Sequence, residues 1–202
     1  MQFIQGDGAT AGDAVMRAMF EARKRVFVDL LGWDLPVLAG RYEVDQFDDI
    51  HARYLILTDG EGRHLASARL LPTERPHLLG SLFADLCDVP PPTGPSTWEI
   101  TRFCLDRRLR AGERRRWRDV LVHGIARYAL DHGISCYVGV AEQAWREQIL
   151  AFGWEAHALG PIRTVGGMRL GALRIEIRPE TPALLAANGI QPQFPLAQAK
   201  AA

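Results

Sequence analysis

Charged side chains occur in the first half of the chain at positions that a folded protein would bury. The stretch Glu43–Asp48 places three carboxylates within six residues, just ahead of a predicted strand. Arg69 lies inside one apolar strand pattern, and Glu99 and Arg102 lie inside another. A charge in a strand interior is costly unless it is paired or faces solvent. Each residue alone fits a solvated strand face or a structural ion pair, but together they predict acids and arginines that converge on a polar pocket.

Two aromatic residues accompany these charges. Phe27 follows Arg23 on a predicted first helix, and Trp33 lies just beyond the end of that helix. Aromatic faces attract cations, and arginines and carboxylates bind the carboxylate and the amine of a ligand. The pattern predicts a pocket for a ligand that has both a cationic centre and a carboxylate. Two alternatives stay open, because Phe27 also fits the apolar edge of its helix, and Asp45 and Asp48 also fit the caps of a helix or loop.

The elements that must position these residues alternate between helix and strand. A stripe of apolar residues at three- and four-residue steps predicts a first helix over about 12–31: Val15, Met19, Ala22, Val26 and Leu30. Strands are predicted at 1–5, 53–58, 64–71, 97–103, 136–141 and 172–178, and shorter helices around 120–128 and 145–152. The turn at 59–62 predicts a hairpin, so the sheet is expected to be mixed. We expect one α/β domain at 1–190, a three-layer sandwich with a twisted mixed sheet flanked by helices, and a flexible tail at 191–202.

Composition excludes several classes of protein. The 202 residues are 48% hydrophobic and 24% charged, which argues against global disorder. The formal net charge is zero, whereas a general nucleic-acid binder needs a basic excess. The apolar runs are too short to span a bilayer and no basic-then-apolar leader opens the sequence. Cys87, Cys104 and Cys136 have no metal-ligand spacing. They predict free thiols, no metal site and a cytoplasmic location.

The ordered set of charged and aromatic residues resembles the acyl-homoserine lactone synthase (autoinducer synthase) family. The similar motifs run in the family's order and spacing from about residue 15 to residue 180: Arg23-x-x-x-Phe27, Trp33, Glu43-x-Asp45-x-x-Asp48, Arg69-Leu70-Leu71-Pro72-Thr73, Trp98-Glu99-Ile100-Thr101-Arg102-Phe103, and Phe152-Gly153-Trp154. Any one motif is weak, but the ordered set is specific. The resemblance implies a fold like that of the N-acetyltransferases (the GNAT fold).

The resemblance also implies an activity. The family transfers an acyl group from a thioester of acyl carrier protein or coenzyme A to the amine of S-adenosylmethionine. It then closes a lactone ring with release of methylthioadenosine, which yields a quorum-sensing signal. Both molecules are substrates, and no cofactor is expected. The family pattern makes Glu99 the candidate general base. It assigns these residues to the S-adenosylmethionine side: Arg23, Phe27, Trp33, Asp45, Asp48, Arg69 and Arg102.

The acyl side is expected in the second half of the chain. The predicted lining residues of the acyl pocket are Phe103, Val138, Gly139, Val140, Trp145 and Ile149. Many family members that use 3-oxo chains have a threonine near Val138 or Gly139, so its absence argues against 3-oxo selection. If Trp145 points inward, the pocket favours a short, branched or aromatic acyl group, and a core position for Trp145 is an equal alternative.

An arginine-rich segment begins at the end of the predicted strand 97–103. Residues 102–118 hold eight arginines and few acids. This segment predicts docking of an acidic acyl carrier protein or of coenzyme A phosphates, and a solvated loop is the alternative. Two other functions stay open for the whole chain. One is an N-acyltransferase of the same fold that acts on another amine, and the other is a non-catalytic ligand-binding relative.

Overall fold

The computed structural model describes residues 2–5 and 11–191, with side chains from residue 14 onward. Its strands are β1 (Gln2–Gln5), β2 (Val37–Leu38), β3 (Tyr42–Glu43), β4 (Arg53–Thr58), β5 (His64–Pro72), β6 (Thr97–Leu105), β7 (Cys136–Glu142), β8 (Glu155–Ala158), β9 (Arg163–Val165) and β10 (Met168–Glu176). Its α-helices are α1 (Ala11–Arg23), α2 (Leu78–Leu82), α3 (Ala111–Asp131), α4 (Gln143–Leu150) and α5 (Thr181–Ala187). A π-helical turn, Lys24–Val28, extends α1, and a short 3-10 turn, Ala84–Leu86, follows α2.

The main sheet has both parallel and antiparallel pairs. Its strand order is β1-β4-β5-β6-β7-β10-β8, with β9 paired to β10, and β2 and β3 form a separate two-stranded sheet. β6 pairs in parallel with β7 through Thr97–Glu99 against Cys136–Val138. β10 runs antiparallel to β7, β8 and β9, and β1 runs antiparallel to β4. The predicted α/β class with a mixed sheet flanked by helices is confirmed.

Contacts between residues divide the chain into two compact units. The first unit takes the described residues up to Arg69 together with Arg102–Leu121, and the second takes Leu70–Thr101 and Val122–Gln191. Within the described residues, the chain passes from one unit to the other at three places, within β5, within β6 and within α3. A single domain over 1–190 stays a prediction, and the predicted tail lies, from residue 192, outside the described residues.

The first helix differs from the prediction at one residue of the apolar stripe. Val15 and Val26, like the two stripe residues between them, are buried, but Leu30 is 54% exposed. The reason is the π-helical turn, in which Asp29 N–H donates to the Lys24 carbonyl at 3.1 Å. A five-residue step inserts one extra residue into the helix, and the helix ends at Val28 and not at the predicted residue 31, so Leu30 lies beyond the helix and off its buried face.

The predicted strands match the observed ones closely at the centre of the sheet. β4 has the predicted bounds, and β5, β6 and β7 are each longer than predicted by one or two residues. β10 is an exception, because it begins four residues earlier and ends two residues earlier than expected. Five elements shorter than six residues were not predicted: α2, β2, β3, β8 and β9. α5 was also missed. None of the helices in the described part of the chain has the length and apolar character needed to cross a membrane.

Candidate functional site

Six charged side chains of the first unit form a closed ring of ion pairs, which we call the ion-pair ring. In order of contact its members are Arg23, Glu43, Arg102, Asp45, Arg69 and Asp48. Each arginine contacts two carboxylates and each carboxylate contacts two arginines, so three positive and three negative charges balance. No member has more than 6% of its side chain exposed. The predicted convergence of acids and arginines is therefore observed.

The contacts within the ring are short, and three of the six arginine–carboxylate pairs are bidentate. Arg23 Nε lies 2.5 Å from Glu43 Oε2, and its two terminal nitrogens lie 2.8 and 2.9 Å from the Asp48 oxygens. Arg69 contacts Asp45 at 2.6 and 3.1 Å and Asp48 at 2.8 Å. Planar guanidinium groups match carboxylates in this geometry, which adds orientation as well as energy. The six groups therefore hold one another in fixed positions.

Four separate stretches of the first unit supply the ring. Arg23 ends α1, Arg69 lies in β5, and Asp45 and Asp48 lie in the turn after β3. The same two acids also cap that turn, since Asp45 accepts from the Phe47 N–H and Asp48 accepts from the Asp45 N–H, each at 2.9 Å. The capping alternative and the ion-pair alternative are thus both realised.

Arg102 closes the ring from an unusual backbone conformation. Its φ is 49°, in the left-handed region that non-glycine residues rarely adopt. Its side chain contacts Glu43 at 3.0 Å and Asp45 at 2.7 Å through Nη2. Such backbone strain persists only where the surroundings fix it. Here the two carboxylates fix it.

Burial and the neighbouring charges set the protonation of Asp48 and of the adjacent Tyr54. Burial alone raises the pKa of Asp48, but hydrogen bonds from Arg23 and the charges of Arg23 and Arg69 outweigh it and hold that pKa well below its usual range. The Tyr54 hydroxyl donates to Asp48 at 2.8 Å. Burial, and then the negative charge of Asp48, raise the pKa of Tyr54. Asp48 is therefore ionised and Tyr54 neutral around pH 7.

The two aromatic residues stack on each other next to the ring. The ring centroids of Phe27 and Trp33 are 5.0 Å apart with 14° between the ring planes. The Arg102 guanidinium lies over Phe27, 5.8 Å from its centroid. Phe27 is buried and packs with Val26 and Cys104, whereas Trp33 is half-buried. The structure thus supports the core alternative for Phe27 and leaves Trp33 the more accessible of the pair.

Glu99 belongs to the second unit, where it contacts the beginning of α2. Its side chain is fully buried, and its two carboxylate oxygens accept the Leu78 N–H at 2.7 Å and the Leu79 N–H at 2.8 Å. His77, the N-cap residue of α2, makes no side-chain capping hydrogen bond to this helix. The carboxylate of Glu99 caps it from a neighbouring strand. Val138 of β7 is its partner in the parallel register. Two backbone donors therefore fix the orientation of the candidate base.

The residues predicted for the acyl pocket fall into different environments. Val138 and Val140 pack in an apolar cluster with Leu79, Leu86 and other side chains of the second unit. Leu79 joins this cluster to Glu99, because its N–H binds the carboxylate while its side chain lies in the cluster. At Gly139 an added Cβ would lie 3.1 Å from the Ile100 carbonyl oxygen, so a larger residue is disfavoured there.

The other predicted acyl-pocket residues have separate partners. Trp145 packs edge-on against Phe152, with centroids 5.7 Å apart. The Ile149 carbonyl accepts a hydrogen bond from the indole of Trp154 at 2.8 Å. Phe103 belongs to the first unit and is half-buried. The lining role of all these residues stays a prediction.

Comparison with known proteins decides the family. The family model described as autoinducer synthase matches residues 9–181. This chain belongs to the autoinducer synthase family. A curated acyl-homoserine-lactone synthase from Ralstonia nicotianae is 37% identical over 194 residues, which cover 93% of this chain and 94% of that relative.

Solved structures agree with the autoinducer synthase assignment. BjaI, a CoA-dependent acyl-homoserine lactone synthase solved with SAM and isopentyl-CoA, superposes with a TM-score of 0.83 and 27% identity. The superposition covers 93% of this chain and 88% of BjaI. An N-acetyltransferase from Lactobacillus plantarum superposes at 0.62 with 16% identity, over 88% of this chain and 98% of that one, and shows the fold alone. The predicted family, the acyltransferase class and the GNAT-like fold are confirmed.

Three features of this autoinducer synthase were not among the predicted site residues. Glu43 is a full member of the ring; it was predicted among the converging acids of Glu43–Asp48 but was not assigned to the S-adenosylmethionine side. Tyr54 carries no such signal, because it is an ordinary strand residue until the fold brings Asp48 to its hydroxyl. The capping of α2 by Glu99 likewise needs the tertiary structure.

Proposed function

We propose that this chain is an acyl-homoserine lactone synthase that uses S-adenosylmethionine and an acyl thioester. The observation that carries the proposal is the match of the autoinducer synthase family over residues 9–181, within which the charged motif residues of the first unit form one closed ring. BjaI supports the substrate classes, since it was solved with SAM and isopentyl-CoA. We also propose that the protein acts in the cytoplasm and uses no cofactor, both molecules being substrates.

The first step is acyl transfer. The substrate ammonium must lose a proton, because only the free amine attacks a carbonyl carbon. Glu99 serves as the base that takes this proton, directly or through a water. The amine nitrogen then forms the amide bond and gives up a second proton, the carbon–sulfur bond of the thioester breaks, and the thiolate takes up a proton and leaves as the thiol. The N–H groups of Leu78 and Leu79 hold the Glu99 carboxylate in one orientation for this task.

The second step is lactone closure. A carboxylate oxygen of the substrate attacks the carbon that bears the sulfonium, and the carbon–sulfur bond breaks with its electron pair going to sulfur. Methylthioadenosine leaves as a neutral thioether. No external acid or base is needed, so placement of the two reacting groups supplies most of the acceleration.

The ion-pair ring serves the S-adenosylmethionine side mainly as a frame. Its charges are already satisfied by one another, and its members are almost wholly buried. Asp45 and Arg102 are its most exposed members, at 5% and 6%. We therefore assign direct ligand contact to these two and to Trp33, and assign support of their positions to the remaining members.

The arginine-rich segment bears on the acyl donor. Arg107, Arg110 and Arg115 are exposed, whereas Arg108 is paired with the buried Asp106. We propose that the exposed arginines contact the acidic part of the donor. Replacing Arg110 and Arg115 by glutamate should raise the KM for the donor by about tenfold at low salt and less at high salt. Unchanged KM values for both coenzyme A and carrier-protein thioesters would remove this role.

The test of the function uses the purified chain, S-adenosylmethionine, and a series of acyl thioesters on coenzyme A and on acyl carrier protein. Thiol release is followed optically, and mass spectrometry identifies the lactone and methylthioadenosine. Formation of both products is the expected result. Acylation of a different amine without release of methylthioadenosine would favour an ordinary N-acyltransferase. Binding of S-adenosylmethionine without turnover on any thioester would favour a ligand-binding relative.

The role of Glu99 is tested by Glu99→Gln. The amide cannot accept a proton, so we expect acyl transfer to fall at least about a hundredfold. The amide also presents N–H groups to the backbone donors, and we expect a loss of about 1–3 kcal/mol in the free energy of unfolding. Glu74→Gln, an exposed residue of the loop before α2, is the matched control. Near-wild-type turnover of Glu99→Gln would reject Glu99 as the base.

A further inference from the structure

His77 lies directly before α2, next to the two residues that bind Glu99. The loop that carries it is anchored to β6, because the Thr73 hydroxyl donates to the Thr97 carbonyl at 2.7 Å and accepts from the Gly94 N–H at 3.1 Å. The imidazole of His77 lies over Gly80. A Cβ added at Gly80 would be 2.7 Å from Cε1 and 2.8 Å from Nε2 of that ring. His77 and the Glu99 carboxylate thus contact three consecutive residues, 78–80.

The hydrogen-bond partner of one ring nitrogen determines the state of the other. Nδ1 of His77 lies 2.8 Å from the Arg75 carbonyl oxygen. A carbonyl oxygen only accepts, so Nδ1 carries the hydrogen. In the neutral ring Nε2 is then an acceptor. His77 is 4% exposed, and within residues 11–191 its Nε2 has no hydrogen-bond partner.

A buried acceptor without a partner costs about 1–3 kcal/mol. Such groups are uncommon in folded proteins and indicate a partner that is not part of the chain. For the neutral ring with its hydrogen on Nδ1, that partner is a donor, such as a water or an N–H or O–H group. The carboxylate described at the same helix end is that of Glu99, whose oxygens accept the N–H groups of Leu78 and Leu79.

We propose that His77 is a further functional residue of acyl transfer, which positions the water that carries the substrate proton to Glu99. The inference rests on the proposed function. The water donates one hydrogen to Nε2 and the other to Glu99, and its oxygen accepts an N–H of the substrate ammonium. Three partners are the usual number for a buried water.

Proton transfer along this path balances. The ammonium N–H bond breaks and its proton joins the water oxygen, while the O–H bond directed at Glu99 breaks and that proton joins the carboxylate. The free amine and a protonated Glu99 result, and the water is regenerated. His77 itself neither gains nor loses a proton. The Nε2 lone pair accepts one hydrogen of the water, so that the other hydrogen points to Glu99.

The test compares His77→Asn with the wild-type protein. Asparagine can still donate to the Arg75 carbonyl from the position of Nδ1, but it has no acceptor at the position of Nε2. We expect kcat for acyl transfer near pH 7 to fall by about tenfold to a hundredfold, with the KM for S-adenosylmethionine changed by less than about twofold. His132→Asn is the matched control, because Nδ1 of His132 also lies 2.8 Å from a backbone carbonyl oxygen, that of Tyr128, at an exposed site. It should keep wild-type kinetics.

The pH dependence separates a proton path from mere support of the fold. An α-amino group loses its proton near about pH 8, so above that pH the amine needs no base. The fold-loss of His77→Asn should therefore shrink as the pH rises, and His77→Gln, whose amide oxygen can accept near the position of Nε2, should recover part of the rate. Gly80→Ala, which displaces the ring, should show the same pH-dependent loss if His77→Asn does not fold.

The outcomes are distinct. A loss that is constant with pH, or a kcat equal to that of the wild type, overturns the role of His77 while the proposed function stands. If the wild-type protein forms no lactone from any thioester, the proposed function falls and the inference falls with it.

Discussion

Replacing Asp48 by asparagine should destabilise the protein strongly, because the ion-pair ring would keep a net positive charge in the interior. The Asp48 carboxylate has five donors within hydrogen-bond or ion-pair distance: two from Arg23, one from Arg69, the Tyr54 hydroxyl and the Asp45 N–H. An asparagine oxygen accepts about two of these, and its NH2 group faces donors.

The size of the effect follows from the loss of one partner in a buried network, which costs about 3–5 kcal/mol. For a chain of this length each kcal/mol lowers Tm by about 2–4 °C, so the expected fall is about 6–20 °C. The pKa of Asp48 is depressed in the folded state. Its contribution is therefore present above about pH 4 and is lost as the pH falls further. The difference between variant and wild type should narrow in acid.

The assay is thermal and urea unfolding at pH 7 and at pH 3.5, with Asp34→Asn as the control. Asp34 is exposed, and its substitution should change the free energy of unfolding by less than about 0.5 kcal/mol. The double variant Asp48→Asn, Arg69→Met leaves two arginines and two acids and should be less destabilised than the sum of the single changes by at least about 1 kcal/mol. An Asp48→Asn variant as stable as Asp34→Asn would refute the structural role of the ring.

Two further results are expected. Burial lowers the pKa of His64 to about 4 from 6.5, so the unfolded state binds the proton first as the pH falls. The free energy of unfolding should drop by about 3 kcal/mol more in the wild type than in His64→Gln between pH 7 and pH 4, and equal slopes would contradict this. Gly80→Ala should lower the free energy of unfolding by about 1 kcal/mol, because the added Cβ clashes with His77. Gly112→Ala is the control: its Cβ meets no atom within 4 Å, so the change should be neutral or stabilising. Calorimetry that shows a change of the same sign in the free energy of unfolding for both variants would refute the clash.

The sequence was most informative where side-chain pattern and local chemistry agree. The hairpin strands β4 and β5 combine apolar runs with an Asp-Gly turn, and their bounds were predicted to within a residue. The convergence of Arg23, Arg69 and Arg102 with the acids was predictable because a buried charge requires a partner. Which arginine meets which acid was not, since that depends on the geometry of four separate segments.

Local pattern failed where the backbone leaves its regular repeat. The π-helical turn at Lys24–Val28 changes the residue spacing of the helix, and no residue type in that stretch indicates a π turn. α2 has five residues, and the histidine directly before it makes no side-chain capping hydrogen bond. Its start is set by a carboxylate some twenty residues later in the chain, and propensity over a short window contains no information about such a tertiary cap.

The ion-pair ring also bears on how the chain is made. Its members emerge from the ribosome in the order Arg23, then the acids of Glu43–Asp48, then Arg69, and last Arg102. A nascent chain that ends before residue 102 has the three carboxylates of the ring but only two of its guanidinium groups. The incomplete ring therefore lacks one positive charge. We therefore expect the first hundred residues not to form a stable fold by themselves. If the synthase is divided into two fragments before Arg102, the second fragment must supply that arginine to complete the ring.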